Sequence, residues 1–202
     1  EAWEKYSIYF DAQRAAAQLG IDWQLKLNKP NIHIYSSMVE GNSWCAIKAV
    51  TVMRTTPMAL VKVLLDYSRM GEYDNMFKTS SLVQQVDANT VIRRLCFKEV
   101  WPTAPRDFVV CASWRQNADG TVSIVSRSVS DSHCAQEKPY VRGFLQLSGF
   151  LLEPYREDSA VTCKVTLLNH TELGGTLPAS VINVLSTSAP MKILSSLASL
   201  VS

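Results

Sequence analysis

Two short segments carry the residue types that catalysis or metal binding would need. Asp131, Ser132 and His133 are the three residue types of a hydrolytic triad, but three consecutive residues cannot reach triad geometry among themselves. His133 and Cys134 could together bind zinc, but no second ligand pair follows at a zinc-site spacing. The chain also lacks a Gly-x-Ser-x-Gly motif and a phosphate-binding loop. We therefore expect no enzyme activity, no metal and no cofactor.

Arg106 and Asp107 form a second candidate, because a buried charged pair could anchor a polar ligand. Such an adjacent pair more often fixes a strand edge by structural ion pairing, and we favour that interpretation. The chain has only three histidines, at positions 33, 133 and 170, and no convergent set of titratable residues. An enzyme built around an internal cavity is therefore the weakest of the functions considered.

The composition is that of a folded chain with little electrostatic preference. Of 202 residues, 47% are hydrophobic and 19% are charged, with 20 Lys+Arg against 18 Asp+Glu. The resulting net charge of +2 is too small to indicate a nucleic-acid partner. The mean hydropathy of +0.02 is high, yet no apolar run approaches the roughly 20 residues of a membrane span. The apolar excess is expected to fill a core or line a cavity.

The cysteines and the chain start indicate the cellular setting. No basic and apolar leader is present at the N-terminus, and the chain does not start with Met, so we expect one domain over 1–202, cut from a longer protein. The chain has an odd number of cysteines and no Cys-x-x-Cys motif. This pattern favours buried thiols in the reducing cytoplasm. They are Cys45, Cys96, Cys111, Cys134 and Cys163.

The hydrophobic pattern predicts an α+β domain with one long antiparallel sheet. A helix is predicted up to Leu19, then a strand ending near Pro30, a hairpin around Gly41-Asn42, and a short helix beginning at Thr56-Pro57. A looser helical turn is predicted over 67–75. Six further strands, joined by short connections, are expected over 82–86, 90–100, 108–116, 121–130, 141–152 and 160–169.

The last segment predicts a helix with an unusually uncharged polar face. Between Leu177 and Ser202 the only charged residue is Lys192. The apolar residues form two arcs, rotated relative to one another and separated by Pro190, which is expected to kink the helix. The first arc consists of Val181, Ile182, Leu185 and Ala189, and the second of Ile193, Leu194, Leu197 and Val201.

Two interpretations of this helix stay open. In one it is a packed amphipathic helix whose apolar face wanders around the axis. In the other it is a lid, with one half over a cavity and the other against the body of the domain or a bilayer. A polar face without charge can approach a ligand or membrane with little desolvation cost.

Three ordered motifs carry a family resemblance that covers essentially the whole chain. A strand begins with Pro105-Arg106-Asp107-Phe108-Val109, a later one begins with Val141-Arg142 after Pro139, and 175–183 reads GTLPASVIN. In this order and at these separations they resemble the START family, the steroidogenic-acute-regulatory-protein-related lipid transfer domain.

The resemblance implies a helix-grip fold, in which a curved sheet of about nine strands wraps a long C-terminal helix. A tunnel between them would hold one lipid of the sterol, phospholipid or sphingolipid class and transfer it between membranes. The implied partners are the lipid, a transient membrane surface and other domains of a host protein, with no nucleic acid. A lipid-sensing or targeting module without net transfer is the alternative, and the oligomeric state is left open.

The sequence departs from the sterol-carrying members at two tunnel positions. Where they carry a basic and an acidic residue, this chain has Ala112 and, near the second position, Leu95. We therefore expect a tunnel more apolar at its depth, with Arg93 as the candidate polar anchor. Strand alternation and the helix arcs predict a lining of Arg93, Leu95, Phe97, Arg106, Phe108, Val110, Ala112, Val181 and Leu185.

Two short segments are predicted to gate the tunnel and touch the membrane. Trp101 and Pro102 lie in a loop between strands, where an aromatic ring suits a membrane interface. The alternative for Trp101 is a loop aromatic that packs on the core. Leu177 and Pro178, at the start of the last helix, form the other side of the predicted gate.

Overall fold

A computed structural model describes residues 21–129, 134–157, 160–174, 177, 181–182 and 184–201, without the side chains of residues 156, 157, 160 and 184. The helix predicted up to Leu19 lies outside the described residues. So do Asp131, Ser132 and His133, and most of the 175–180 segment.

The first three strands form an antiparallel meander close to the predicted one. They are β1 (Gln24–Lys29), β2 (Ile32–Met38) and β3 (Cys45–Met53). Alternation along β2 and β3 directs Ile34 and its cross-strand partner Ala49 into the core, where both are almost fully buried. The meander supplies one side of the sheet.

Two short helices follow β3, as the sequence predicts. Helix α1 (Pro57–Leu64) begins at Thr56, whose hydroxyl accepts a hydrogen bond from the Ala59 backbone N–H at 3.2 Å. Pro57 occupies the first turn, where its missing N–H leaves no bond unmade. A 3₁₀ turn (Tyr67–Arg69) and helix α2 (Met70–Tyr73) then lead into the second part of the sheet.

The second group of strands is β4 (Phe77–Asp87), β5 (Thr90–Phe97), β6 (Arg106–Gln116) and β7 (Val122–Ser128), each antiparallel to the next. The prediction of 82–86 covers less than half of β4. That strand lies at the edge of the sheet and is mostly exposed, so its first residues lack the apolar alternation that marks a half-buried strand.

The strand predicted over 141–152 is wrong as a continuous element. Val141–Arg142 forms β8, which pairs parallel with the start of β6, and β9 (Phe144–Glu157) begins after Gly143. The Gly143 N–H donates to the Asp107 carbonyl at 2.9 Å, and a Cβ at this position would overlap the Phe108 ring. β9 then forms a long hairpin with the last strand, β10 (Ala160–Glu172).

The sheet is curved and unclosed, in the strand order β1-β2-β3-β10-β9-β7-β6-β5-β4, with β8 off this path beside β6. Each of the nine strands in this order is antiparallel to its neighbours, which confirms the predicted helix-grip architecture. The two groups of strands are joined by the β9–β10 hairpin, because β10 pairs with β3 and β9 pairs with β7.

The final helix changes its winding where the sequence predicts a kink. Val181 and Ile182 are helical, Val184–Ser188 forms a π-helical turn, and helix α3 (Ala189–Leu200) follows. Pro190 lies in the first turn of α3, and because it has no N–H it cannot donate to the preceding turn of an α-helix. The π turn therefore accommodates the proline and rotates α3 relative to the segment before it.

The main core lies between one face of the sheet and the helices α1 and α3. Leu194 and Leu197 of α3 are fully buried there with Leu60 of α1 and Leu152 of β9. A smaller cluster of Val125, Leu147 and Leu168 is packed against Trp23. The main core holds the second half of the last helix in place and leaves the first half to cover a different region.

Candidate ligand-binding cavity

A cavity of about 290 Å³ lies between the sheet and the last helix. This volume is near the lower end of the range for small-molecule sites. Most of the wall is apolar and comes from β5, β6, β7, β9, β10 and the C-terminal segment. The apolar wall residues include Leu95, Phe97, Phe108, Val110, Ile124, Leu145, Phe150, Leu167, Leu173, Val181, Leu185 and Ile193.

Three phenylalanines make one side of the cavity rigid. Phe97 lies 6.2 Å from Phe77 and 5.7 Å from Phe108 between ring centroids, and both pairs are edge-to-face with interplanar angles of 81°. Such pairs are favourable beyond the area they bury. Because Phe97 and Phe108 line the cavity, this stack fixes the shape of the wall across β5 and β6.

The two halves of the last helix face different surroundings. Val181, Leu185 and Ala189 line the cavity, and so does Ile193 of α3, whereas Leu194 and Leu197 of α3 lie in the main core. The change of face follows the π turn and Pro190. The first half therefore lies over the cavity, and its action as a lid stays a prediction.

Arg106 is the buried cation of the wall. Its side chain donates to three carbonyls, from Nε to Leu173 at 3.3 Å and from the terminal nitrogens to Ala104 at 2.5 Å and Gly174 at 3.4 Å. These carbonyls belong to the β5–β6 loop and to the loop after β10. Burial lowers the pKa of Arg106, but a guanidinium stays protonated in proteins. Arg106 thus ties together two loops beside the cavity.

Asp74 and Lys98 are the other charged residues of the wall. Asp74 is buried and accepts a hydrogen bond from the Met76 backbone N–H at 2.9 Å. Loss of hydration raises the pKa of the Asp74 carboxyl above its ordinary value. Lys98 is exposed and donates to the Asn75 carbonyl at 2.8 Å. Both groups are therefore satisfied locally by neighbouring backbone.

A row of uncharged polar residues crosses the sheet inside the cavity. Ser126 on β7 is paired with Ser148 on β9, which is paired in turn with Asn169 on β10. All three line the cavity, and the hydroxyl of Thr171, which also lines it, donates to Asn169 Oδ1. Sequence reasoning missed this row because the three residues are far apart in the chain and meet only through strand register.

Arg106 and Asp107 do not form the ion pair that the sequence predicts. Adjacent strand residues point to opposite faces, so Arg106 faces the cavity and Asp107 faces away from it. The Asp107 carboxylate accepts from Arg94 at 2.7 Å and from Arg142 at 2.9 Å. Arg94 also pairs with Glu137 at 2.5 Å. The structural ion pairing exists, but with Arg94 and Arg142 as the cations.

The structure does not place Arg93 in the cavity wall, in contrast to its predicted position. Its guanidinium lies 4.2 Å from the centroid of the Tyr67 ring and donates to Ser80 Oγ at 3.0 Å. Tyr67 itself lines the cavity. Ala112 is buried but also lies outside the wall, two residues beyond Val110 on the same strand face. The alternation pattern predicts the strand faces that line the cavity, but the predicted lining reaches one position too far along each strand, to Arg93 and Ala112.

The other residues predicted to line the tunnel lie together in the wall, although their part in ligand binding stays a prediction. They are Leu95, Phe97, Arg106, Phe108, Val110, Val181 and Leu185. Leu177 of the predicted gate is also in the wall. Pro178 lies outside the described residues.

The loop between β5 and β6 presents the most exposed large apolar side chain of the described residues. Trp101 is 86% exposed, and Pro102 beside it is also exposed. Val100, Thr103 and Ala104 of the same loop line the cavity. Trp101 therefore does not pack on the core, and it projects from a loop that borders the cavity.

Two further features of the described residues bear on the sequence predictions. Within them, no helix combines the length and apolar character that crossing a bilayer requires. Among the same residues no group of His, Cys, Asp and Glu has the geometry of a metal site. All five cysteines are free thiols, and burial raises the pKa of Cys163 to about 12.

Solved structures share the fold of this chain. Human StAR-related lipid transfer protein 5 superposes with a TM-score of 0.84 and 16% identity, covering 99% of this chain and 95% of that one. Human STARD10 superposes with a TM-score of 0.77 and 20% identity, over 94% of this chain and 77% of that one. At these identities the likeness shows the fold.

Sequence relatives differ greatly in total length. An ENHANCED DISEASE RESISTANCE 2-like protein of Arabidopsis thaliana is 29% identical over 66% of this chain and 20% of its own length. An uncharacterized protein of Pseudomonas aeruginosa is 26% identical over 92% of this chain and 89% of its own. Mouse acyl-coenzyme A thioesterase 11 is 27% identical over 84% of this chain and 28% of its own. This chain thus spans less than a third of the plant and mouse relatives.

The family model for the START domain matches residues 13–200. That range includes every strand and helix described above, the cavity between them, and all three sequence motifs of the resemblance. The chain therefore belongs to the START domain family.

Proposed function

We propose that this chain holds one lipid of the sterol, phospholipid or sphingolipid class in the cavity and transfers it between membranes. The observation that carries the proposal is an apolar cavity of about 290 Å³ roofed by the first half of the last helix. Such a cavity shields an apolar molecule from water. Family membership supports lipid binding in general, and the lipid class and the transfer step are the proposed part.

Burial of apolar surface supplies the driving force for extraction. Removing about 300 Å² of apolar ligand surface from water is worth on the order of 7 kcal/mol. A lipid that leaves a bilayer loses a similar apolar environment there. The net free energy of moving the lipid from the bilayer into the cavity therefore depends on the fit of the cavity and on polar partners for the headgroup. The row of Ser126, Ser148 and Asn169 can supply neutral hydrogen bonds to the ligand.

Membrane contact is proposed to be brief and made through the gate. Trp101 is exposed on a loop that borders the cavity, and Leu177 lines the cavity. A net charge of +2 gives little long-range attraction to an anionic membrane. Contact then rests on a few apolar side chains, which allows release. The free cysteines fit a domain that works in the cytoplasm.

A second function, lipid sensing inside a larger protein, is favoured by the relatives' lengths. This chain spans 20% of the Arabidopsis relative and 28% of the mouse relative. In such a protein the occupied cavity would report on lipid supply to neighbouring domains, without net transfer. Transfer and sensing both require lipid binding but differ in exchange rate.

The decisive experiment is native mass spectrometry of the chain after incubation with mixed liposomes, followed by a donor-to-acceptor vesicle assay. One lipid mass per chain and net movement of that lipid support transfer. One bound lipid without net movement supports sensing. No bound lipid with a folded chain overturns both, and hydrolysis of many acyl thioester molecules per chain, the chemistry in the mouse relative's name, would support an enzyme.

A further inference from the structure

We infer that the cavity selects single-chain amphiphiles with an anionic headgroup, a carboxylate or a phosphate, which binds at Arg106. This inference rests on the proposed lipid-binding function and narrows the ligand, within the phospholipid and sphingolipid classes, to members with one chain and an anionic headgroup. It follows from the charges in the wall, the hydrogen bonds of Arg106 and the size of the cavity.

Arg106 is a buried cation without a carboxylate partner among the described residues. It is 9% exposed, and its three hydrogen bonds all go to backbone carbonyls. Carbonyl dipoles stabilise a cation only in part, and a buried charge without a counter-ion is costly. An anion arriving with the ligand would supply the missing counter-charge.

The neighbouring buried charge, Asp107, is compensated in a way that Arg106 is not. Asp107 is fully buried and has two arginine partners, Arg94 and Arg142, at 2.7 and 2.9 Å. The fold thus pairs the buried charge that faces away from the cavity and leaves Arg106, which faces into it, without an acidic partner. A buried arginine without an acidic partner, at the edge of a cavity, gains a counter-charge when an anionic ligand fills that cavity.

The other two charged wall residues do not change this conclusion. Asp74 accepts from the Met76 N–H at 2.9 Å, and among the described residues no ion pair joins its carboxylate to Arg106. Lys98 is exposed and bonded to the Asn75 carbonyl, so solvent already compensates its charge. Arg106 is therefore the wall cation that gains most from an anionic ligand.

The guanidinium also has donors left for such a ligand. Of its five N–H groups, three are donated to carbonyls, so two remain to donate to carboxylate or phosphate oxygens. A volume of about 290 Å³, near the lower limit for small-molecule sites, favours a ligand with one alkyl chain over a two-chain phospholipid.

A matched ligand series tests the inference on the unmodified chain. Hexadecanoate, hexadecyl phosphate and hexadecanol share one chain and differ in headgroup charge, and their affinities can be compared by displacement of a neutral polarity-sensitive dye. We expect either anion to bind at least about tenfold more tightly than the alcohol. Acetate and inorganic phosphate serve as anions without a chain and should not displace the dye.

Two substitutions assign the preference to Arg106. In Arg106→Gln the preference for the anions should fall to within about threefold, while hexadecanol still binds, and Arg106→Lys should retain part of it. Arg115→Gln, an exposed position on the same strand, should keep the full preference. Thermal unfolding of each variant reports on folding.

The outcomes separate this inference from the proposed function. Equal affinity for hexadecanol and the two anions overturns the inference and leaves lipid binding intact. Tighter binding of two-chain phosphatidic acid than of hexadecanoate overturns the single-chain part, and Arg106-dependent binding of inorganic phosphate alone overturns the amphiphile part. Failure of all three chain ligands to bind overturns the proposed function as well.

Discussion

The Nε atom of Arg94 donates to Oδ2 of Asp107 across 2.7 Å, between two neighbouring strands, and the same carboxylate accepts from Arg142 at 2.9 Å. Asp107 is fully buried. This group joins β5, β6 and β8 on the face of the sheet away from the cavity. It holds the start of β6, from which Arg106 faces the opposite way into the cavity.

Asp107→Asn should destabilise the domain strongly. Removing the carboxylate charge leaves two arginines, with side chains 10% and 12% exposed, without their shared counter-ion. Breaking a buried pair in this way costs about 3–5 kcal/mol. Urea unfolding at neutral pH gives the change in the free energy of unfolding.

The matched control is Glu153→Gln, which removes the ion pair with Lys164. Those two side chains are 34% and 41% exposed, so the loss should stay below about 1 kcal/mol. If Asp107→Asn were no more destabilising than this surface substitution, the buried ion group would not stabilise the fold.

Leu185→Arg should abolish lipid binding. Leu185 lines the cavity from the first half of the last helix, so an arginine there places a charge and a longer side chain in apolar space. Native mass spectrometry after liposome exposure should show only the lipid-free mass. Ser195→Arg is the control, since Ser195 is exposed on α3 and outside the cavity wall.

A folded Leu185→Arg variant that still carries one lipid would contradict the assignment of this helix half to the cavity. Circular dichroism and the urea midpoint establish whether the variant is folded. Loss of lipid in both variants would show that any added charge on the last helix, and not its position, prevents binding.

Trp101→Ala should weaken membrane association. The Trp101 ring is 86% exposed on the β5–β6 loop, and aromatic rings partition into bilayer interfaces. The fraction of chain that sediments with neutral vesicles should fall several-fold. Leu25→Ala, an apolar residue 52% exposed on the edge strand β1, is the control and should sediment like the unmodified chain.

If both variants sediment equally, membrane contact does not pass through the β5–β6 loop. An unchanged donor-to-acceptor transfer rate for Trp101→Ala would lead to the same conclusion. A drop in transfer in parallel with a drop in sedimentation would identify contact as the slow step.

His170 should make the domain less stable in mild acid. Its ring is 2% exposed, Nε2 lies 3.1 Å from the Trp44 carbonyl, and Nδ1 has no partner among the described residues. Burial lowers the pKa of His170 below the ordinary value of 6.5. The unfolded chain therefore binds the proton more readily, and stability present above pH 6.5 is lost as the pH falls through 6.5 towards the lower folded-state pKa.

The measurement compares the free energies of unfolding at pH 7.5 and pH 5. The decrease between them should be smaller in His170→Gln than in the unmodified chain, because the amide does not titrate. Ser37→Ala, at a buried position of β2 that does not titrate in this range, is the control and should leave the decrease unchanged. An equal decrease in all three chains would show that other groups cause the acid sensitivity.

Local signals in the sequence predict several individual elements correctly. Thr56 and Pro57 define the start of α1 through a hydroxyl cap and a residue without an N–H, both of which act within one turn. Pro190 predicts the change of face in the last helix for the same local reason. Alternation identified the faces of β5 and β6 that contribute Phe97 and Phe108 to the wall. Ordered motifs identified the family, which the family model confirms.

Tertiary structure alone decided which side chains share the cavity and which charges are paired. The row of Ser126, Ser148 and Asn169 depends on the register of three strands, and register is set by long-range pairing that no local pattern encodes. Asp107 pairs with Arg94 and Arg142, not with its neighbour Arg106, because adjacent strand residues face opposite ways and their partners come from other strands. Arg106 is buried without a carboxylate partner among the described residues, and this arrangement is therefore a property of the folded sheet.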